Sequence, residues 1–329
     1  MKSNGELQYS VVIRTLGNSG EKYRKMLEAI ERQTVSPMEI VVVIPHGYTL
    51  DHMLGKERVV HSEKGMVSQR AVGIEEAQGE YLLVLDDDLD FPPDFVEIMY
   101  YHMIEKDLDC VLAFGSGYND IQSKGGQSSV SITHFAKRIR GAFTGQYFYS
   151  NRKSDYFDTI TRTAGHRAFI NHKEKPCQTG CFQCFFIKNK VAKGLHFEKE
   201  KWLEQGRLSQ YAAYDDAVFF YKLFLSGGAF SYTMETTYVH LDAGAGRFAK
   251  SKLTAKRNRL YCIARNRTIF WSRFIMPSRP GLLTLLGGLY GLGNYALYSV
   301  IINLYPKNWS AISALFAGYR DAFNFIRNK

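Results

Sequence analysis

The chain predicts an α/β fold: a doubly wound, mostly parallel sheet flanked by helices, with a C-terminal helical appendage that associates with membrane. Three observations carry this. Short β-branched and aliphatic runs alternate with helically spaced apolar residues up to about position 114, the pattern of parallel strands joined by crossover helices. The 329 residues are 45% hydrophobic and 22% charged with only 8 Pro, which permits a large core and excludes wholesale disorder. The character then changes: positions 243–279 hold ten basic residues and no acidic one, and positions 280–306 hold no charge at all.

The elements follow in order. The run Ser10-Val11-Val12-Ile13 is a buried strand. Residues 21–33 carry Tyr23, Met26, Leu27 and Ile30 on one helical face. EIVVVI at 39–44 is a second strand stopped by Pro45, and Val59-Val60 begins a third. Residues 65–78 form a helix with Val67, Ala71, Ile74 and Ala77 on one face and Gly79 as its C-cap. YLLVL at 81–85 is a continuous apolar strand running straight into Asp86-Asp87-Asp88. Pro92-Pro93 suits the first turn of a helix reaching Glu105, and 109–114 is the next strand. Residues 115–171 lack clear periodicity and are expected as loops, short strands and a lid-like insertion. Order resumes at 182–191. A helix is expected over 215–226, closed by Gly227-Gly228, and two short strands over 229–240.

The net charge of +10 is unevenly placed. The last fifty residues contribute +3 and positions 243–279 contribute +10, so the first 242 residues carry −3. We therefore expect a catalytic unit over 1–242 and a basic, aromatic and apolar helical unit over 243–329 that calls for an anionic partner. The uncharged 27-residue run is long enough to cross a bilayer, and Gly287 and Gly291 give it a GxxxG spacing. Its glycines, tyrosines and Asn294 favour interfacial or protein-packed helices over a span. Five irregularly spaced cysteines read as reduced thiols, and the first ten residues have no signal-peptide core.

Chemistry concentrates at few places. In parallel sheets ligands bind beyond the carboxyl ends of the strands, where Asp86, Asp87 and Asp88 fall. Crowded carboxylates repel, and Mg²⁺ or Mn²⁺ sharing oxygens with a substrate phosphate relieves this. A solvated acidic loop is the plainer alternative. Asp215-Asp216 opens a predicted helix, where carboxylates either favour the helix dipole or supply a general base. His240 ends a strand before LDAGAGR, whose Arg247 suits a phosphate. Cys177, Cys181 and Cys184 near His172 lack a paired knuckle, so buried thiols are preferred to zinc.

Together these segments resemble the family 2 glycosyltransferases of the GT-A fold. The resemblance rests on YSVVIRTLGN, on EIVVVI, on KGMVSQRAVGIEEAQGEYLLVLDDDLDFPPDFVE with its DXD, on AAYDDAVFFYKLFLSGGAFSYTMETTYVHLDAG, and on RNR at 265–267. It implies an inverting, metal-dependent sugar transfer from a nucleotide-diphosphate sugar, with a UDP-sugar favoured. Asp86 and Asp88 would serve ribose and metal, Asp88 being the better metal ligand. Asp87 would join the donor site, and Asp216 would be the base with Asp215 where the family usually has Glu. His240 would be a further metal or diphosphate ligand, Arg70 would sit near the diphosphate, and Thr15 would line the nucleoside pocket. Two departures stand out: PHGYTL replaces the usual acidic, serine-containing loop, and Ala71-Val72 follows Arg70 where the family usually has Asn.

The implied acceptor is a glycan or a lipid-linked precursor of a surface polysaccharide. The implied place is the cytoplasmic face of an anionic membrane, peripheral or with one span, without nucleic acid as partner. The competing readings are a polyprenyl-phosphate glycosyltransferase, a nucleotidyltransferase on the same fold, and a non-catalytic basic module binding membrane or nucleic acid.

Overall fold

The computed structural model describes residues 7–115, 132–148, 159–168, 177–208, 212–241, 252–305 and 307–328. Its first half alternates as the apolar pattern requires. Strands β1 (Tyr9–Arg14), β2 (Glu39–Pro45), β3 (Glu57–Ser62) and β4 (Tyr81–Leu85) are interleaved with helices α1 (Glu21–Glu31) and α2 (Met66–Glu76). Then come the two-residue β5 (Leu89–Asp90), helix α3 (Phe95–Glu105) and β6 (Cys110–Gly115). Beyond these lie β10 (Cys184–Lys188), helices α5 (Asn189–Gly194) and α6 (Asp215–Leu225), and β11 (Phe230–His240). The main sheet has eight strands in the order β3-β2-β1-β4-β10-β6-β11-β5. β1 runs parallel to β2 and β4, β2 to β3, and β6 to β11. β10 is antiparallel to both its neighbours, and β5 is antiparallel to the end of β11.

Because side chains alternate along a strand, each buried strand feeds two cores. Val12, Val41, Val43, Leu82 and Val84 face α2 and α6, while Val11, Ile13, Val42, Leu83 and Leu85 face α1 and α3. The parallel strands all end at one edge. That places Thr15 after β1, the three aspartates after β4 and His240 at the end of β11 beside one another.

Four expectations change. The stretch 229–240 holds one 11-residue strand, Phe230–His240, not two, and its register slips between Thr233 and Thr237. Gly79 is not a left-handed cap: a Cβ there would stand 2.5 Å from the backbone N of Ser10, so the glycine serves close approach of helix exit and strand. The stretch read as aperiodic holds a helix, α4 (Ile132–Phe143), and a second sheet of β7 (Tyr147–Phe148), β9 (His166–Arg167) and β8 (Thr159–Ile160). The GxxxG glycines admit mainly a loop, since Cβ atoms at Gly287 and Gly291 would meet Arg162 and Thr163 at 3.0 and 2.7 Å, and Gly291 also leaves room for the Arg267 guanidinium, which a Cβ would approach to 2.8 Å.

After residue 251 the chain is helical: α7 (Lys252–Phe270), a π-turn (Trp271–Ile275), α8 (Leu282–Leu304) and α9 (Trp309–Arg327). Helix α7, the π-turn and α9 share the main core, for Ile269, Phe270, Ile275 and Ala322 cluster with residues of α2 and α6. The RNR triplet is the clamp. Successive helical residues point about 100° apart, so three neighbours reach three places. Arg265 donates to the carbonyl of Trp202 at 2.6 Å, and the Asn266 amide donates to those of Leu203 and Ala213 at 2.8 and 3.0 Å. Arg267, fully buried, donates to the carbonyls of Thr144, Gly145 and Thr163 at 2.6–3.2 Å. Arg267 thereby fixes the small sheet to the main body. Replacing it by Leu strands the Thr144 and Thr163 carbonyls, while Gly145 keeps the Thr163 hydroxyl at 2.6 Å. At about 1 kcal/mol or more for each stranded group, Arg267→Leu is expected to destabilise the protein by about 2 kcal/mol in equilibrium urea unfolding.

Candidate active site

The site is assembled at the carboxyl edge of the sheet from β1, β4, β11 and the start of α2 and α6. Asp86 heads the acidic run, and its Oδ1 accepts from Arg14 Nη2 at 2.8 Å and Arg70 Nη2 at 3.0 Å. Arg70 is buried on α2, and its other terminal nitrogen donates to Asp215 Oδ2 at 2.6 Å. The Arg70 guanidinium lies 4.2 Å over the Phe182 ring. A chain of alternating charges, Arg14–Asp86–Arg70–Asp215, thus joins the sheet edge to α6. Burial, then the like charge of Arg14, lowers the Arg70 pKa, while Asp86 and Asp215 hold it charged. Burial also works against the charge on Arg14, but Asp86, Asp87 and Asp215 outweigh it and raise its pKa.

Asp87 faces the other way. Its Oδ2 accepts from the hydroxyls of Thr15 and Ser19, each at 2.6 Å. Thr15 is in turn held by α2, whose Gln69 amide donates to the Thr15 and Val43 carbonyls at 2.8 and 2.9 Å. Asp88 is 4% exposed, and its Oδ1 lies 3.3 Å from His240 Nε2. The pairing of β11 with β5 brings them together, His240 standing opposite Leu89. Leu241 N–H donates to the Asp88 carbonyl at 2.8 Å, closing that turn.

Helix α2 presents Arg70 at its correct height through a distant cap. Gly65 has no side chain to cap the helix, and Glu204 does so instead, accepting from Val67 and Ser68 N–H at 2.9 and 3.1 Å. A Cβ on Gly65 would stand 2.3 Å from that carboxylate. Helix α6 opens from Tyr214, held in the left-handed region at φ 75°, with its hydroxyl donating to the Ala164 carbonyl at 3.0 Å.

Asp215 and Asp216 then diverge. Asp215 is committed to Arg70. Burial raises its pKa, opposed by Arg70 and Arg14. Asp216 accepts from the backbone N–H of Ala217 at 2.7 Å. Burial, then the neighbouring charge of Asp215, pushes its pKa up to about 7. A carboxylate poised there takes up a proton near neutrality. Cys181 feels the same surroundings: burial, then Asp216, pushes its thiol up to about 12 and keeps it protonated.

The structure therefore brings together Thr15, Arg70, Asp86, Asp87, Asp88, Asp215, Asp216 and His240. Arg247 and His172 lie outside the described residues. Asp86 is engaged by two arginines, whereas Asp88 and His240 present an oxygen and a nitrogen side by side. Among the described residues no group of three or more His, Cys, Asp or Glu is arranged to hold an ion. Sequence reading missed Arg14, Ser19 and Glu204. Arg14 was marked only by being a charge directly after the apolar run Val11-Val12-Ile13.

Comparison with known proteins accords with this geometry. Residues 10–173 match the family described as glycosyl transferase family 2. The chain is 31% identical over 126 residues to glycosyltransferase GlyG of Streptococcus pneumoniae serotype 4, covering 35% of this chain and 41% of that protein. It is similar to the mannosyltransferase PcManGT of Pyrobaculum calidifontis solved with GDP-Man and Mn²⁺, with 13% identity, TM-score 0.50, and coverage of 97% and 88% of the two chains. S. aureus TarS 1–349 solved with UDP-GlcNAc aligns at 13% identity and TM-score 0.42 over 98% and 92% of the chains.

The Asp215–Asp216 coupling is directly testable. In an Asp215→Asn variant the like charge is gone but the burial remains, so the Asp216 titration, followed by ¹³C-carboxyl NMR, is expected to fall below about 7 while staying above the ordinary aspartate range.

Proposed function

The chain belongs to glycosyl transferase family 2 and has the GT-A arrangement of sheet and helices, and from that premise we propose an inverting transfer of a sugar from a nucleotide-diphosphate donor to an acceptor hydroxyl. The observation that supports it best is the joining of two acidic centres by one buried arginine: the Asp86–Asp88 run and the Asp215–Asp216 pair meet through Arg70.

In this reading the nucleoside lies against Thr15 and Asp87, whose hydroxyl partners orient the carboxylate toward a ribose. His46 and His61, stacked at 5.8 Å at the ends of β2 and β3, line the departure from the usual base-holding loop. Asp88 and His240 would hold a divalent cation, Mn²⁺ or Mg²⁺, since a carboxylate beside an imidazole is a hard or borderline ligand pair that suits either ion. When bound, the cation would supply charge neutralisation to the departing diphosphate. Arg70 and Arg14 lend positive potential to the same region. Asp216 takes the proton of the acceptor hydroxyl as it attacks the sugar carbon from the face opposite the leaving group. Holding donor and acceptor in line on a rigid sheet edge supplies much of the acceleration.

We assign the donor only to the nucleotide-sugar class, with a UDP-sugar favoured, and the acceptor to a glycan or lipid-linked precursor of a surface polysaccharide. Residues 1–242 hold every proposed catalytic group except Arg247. Residues 243–329 are proposed to keep the enzyme at the inner face of a membrane. The helix Leu282–Leu304 is long and apolar enough to cross one.

The experiment is nucleotide release from a donor panel, with and without acceptor glycans, in Mn²⁺, Mg²⁺ or EDTA. One donor is expected to be turned over only with metal. Asp88→Ala should abolish metal-dependent turnover. Asp216→Asn should reduce acceptor-dependent transfer by about 10²–10⁴-fold, the usual contribution of a general base. The base works unprotonated, so the rate should fall as pH drops through about 7, the Asp216 pKa. An Asp216→Asn enzyme of nearly full rate would overturn the hydroxyl acceptor and favour a lipid phosphate, which needs no strong base.

A further inference from the structure

Helix α8 is inverted relative to a helix on the surface of a water-soluble domain. Its buried side is Thr284, Gly288, Gly291, Tyr295, Ser299 and Asn303, small or polar at every position. Its outer side carries Leu282, Leu283, Leu286, Leu289, Leu297 and Ile301, with Leu289 64% exposed. In water this orientation loses the hydrophobic contribution that normally holds a helix down. A second apolar row continues it. Helix α4 exposes Phe135, Ile139 and Phe143 at four-residue spacing, and Phe135 is 60% exposed. The two helices meet where Tyr290 on α8 donates to the Ala142 carbonyl on α4 at 2.9 Å.

Among the described residues of these two helices and the loop between them and the small sheet, the charges have one sign. α4 carries Lys137, Arg138 and Arg140 and no acidic residue, Arg162 lies in the loop against Gly287, and α8 carries no charge. A contiguous apolar face edged by cations is complementary to an anionic bilayer surface, in which leucine and phenylalanine enter the acyl boundary and basic side chains meet headgroups. A second protein copy would have to bring acidic residues to the same rim.

We propose that α4 and α8 together form a monotopic face that lies in one leaflet of an anionic membrane without crossing it. This deepens the membrane reading of the C-terminal region and adds to it α4, which belongs to the catalytic part. Three observations oppose a span. The buried side of α8 is committed to protein from Thr284 to Asn303. The helices packed beside it, α7 and α9, are charged, α9 carrying Asp321 paired with Arg207 at 2.6 Å. The loop that fits against Gly287 and Gly291 is the one Arg267 fixes near the site. α4 leads directly through Thr144 and Gly145 into the small sheet, so a membrane-seated α4 sets that sheet at the headgroup level. The acceptor class that fits is an amphiphile whose sugar-bearing head stands at the surface.

The test is cosedimentation of the full chain with vesicles of phosphatidylcholine alone or with phosphatidylglycerol. Binding is expected to anionic vesicles, weakened by salt and released by alkaline carbonate. Leu286→Glu/Leu289→Glu on α8 and Phe135→Glu/Ile139→Glu on α4 should each lower binding at least tenfold with unchanged melting, while Tyr101→Glu, exposed on α3, should not. Lys137→Gln/Arg140→Gln should reduce the preference for anionic lipid alone. Wild-type binding by the α4 variant would overturn the two-helix face, and resistance to carbonate would overturn the monotopic one. A lipid-independent dimer dissolved by the same variants, without vesicle binding, would assign the face to a second copy. Nucleotide-sugar hydrolysis in solution is the separate readout of the catalytic reading, and its failure leaves the vesicle result untouched.

Discussion

One buried guanidinium organises the site. Arg70 sits 2% exposed between Asp86 and Asp215, and each of the three is costly to bury without the others. Arg14 supplies the second positive charge that Asp86 needs. The arrangement leaves Asp86 satisfied, Asp215 satisfied, and the neighbours of both differently placed. Asp87 turns to the hydroxyls of Thr15 and Ser19, Asp88 turns to His240, and Asp216 is left on a helix N-terminus with only a backbone donor. Two runs of aspartate therefore become chemically distinct residues, separated by what each one faces.

The scaffolding repeats the same logic at longer range. Glu204 caps α2 from 137 residues away in sequence, and so sets the helix that carries Arg70. Asn266 grips the carbonyl of Ala213 just before the left-handed Tyr214 that aims α6. Arg267 donates to the carbonyl dipoles of Thr144, Gly145 and Thr163, and holds the small sheet in the same frame. The C-terminal helices are in this sense part of the catalytic architecture, and their outer apolar side is a separate property of the same elements.

Much of this was legible in the residues. β1, β2 and β4 are so uniformly apolar, and α1 so regularly spaced, that only a buried parallel sheet accommodates them. The stop of YLLVL at three aspartates placed the site at a strand end. What stayed hidden was long-range. Nothing local distinguishes Glu204 from other surface glutamates, and the antiparallel sense of β10 cannot be read from CFFIK. Helix α4 was overlooked because its apolar row points outward and its flanks are mixed in composition. The stretch expected as two short strands is one strand whose register slips between Thr233 and Thr237, a bulge that no local residue type announces. Nothing in the run of three aspartates shows that Asp86, read as a ribose or metal ligand, is paired with both Arg14 and Arg70.

The central claim is that Arg70 couples the donor edge to the base-bearing helix. Lysine keeps the charge but offers one nitrogen where a planar fork bridges two carboxylates. The decisive measurement is kcat of Arg70→Lys for the preferred donor, beside its melting transition and its affinity for the nucleoside diphosphate. The account predicts a cooperative fold, retained diphosphate binding and a kcat lower by about 10²-fold, the scale of a misplacement near 1 Å. A variant that folds and turns over at the wild-type rate would contradict it.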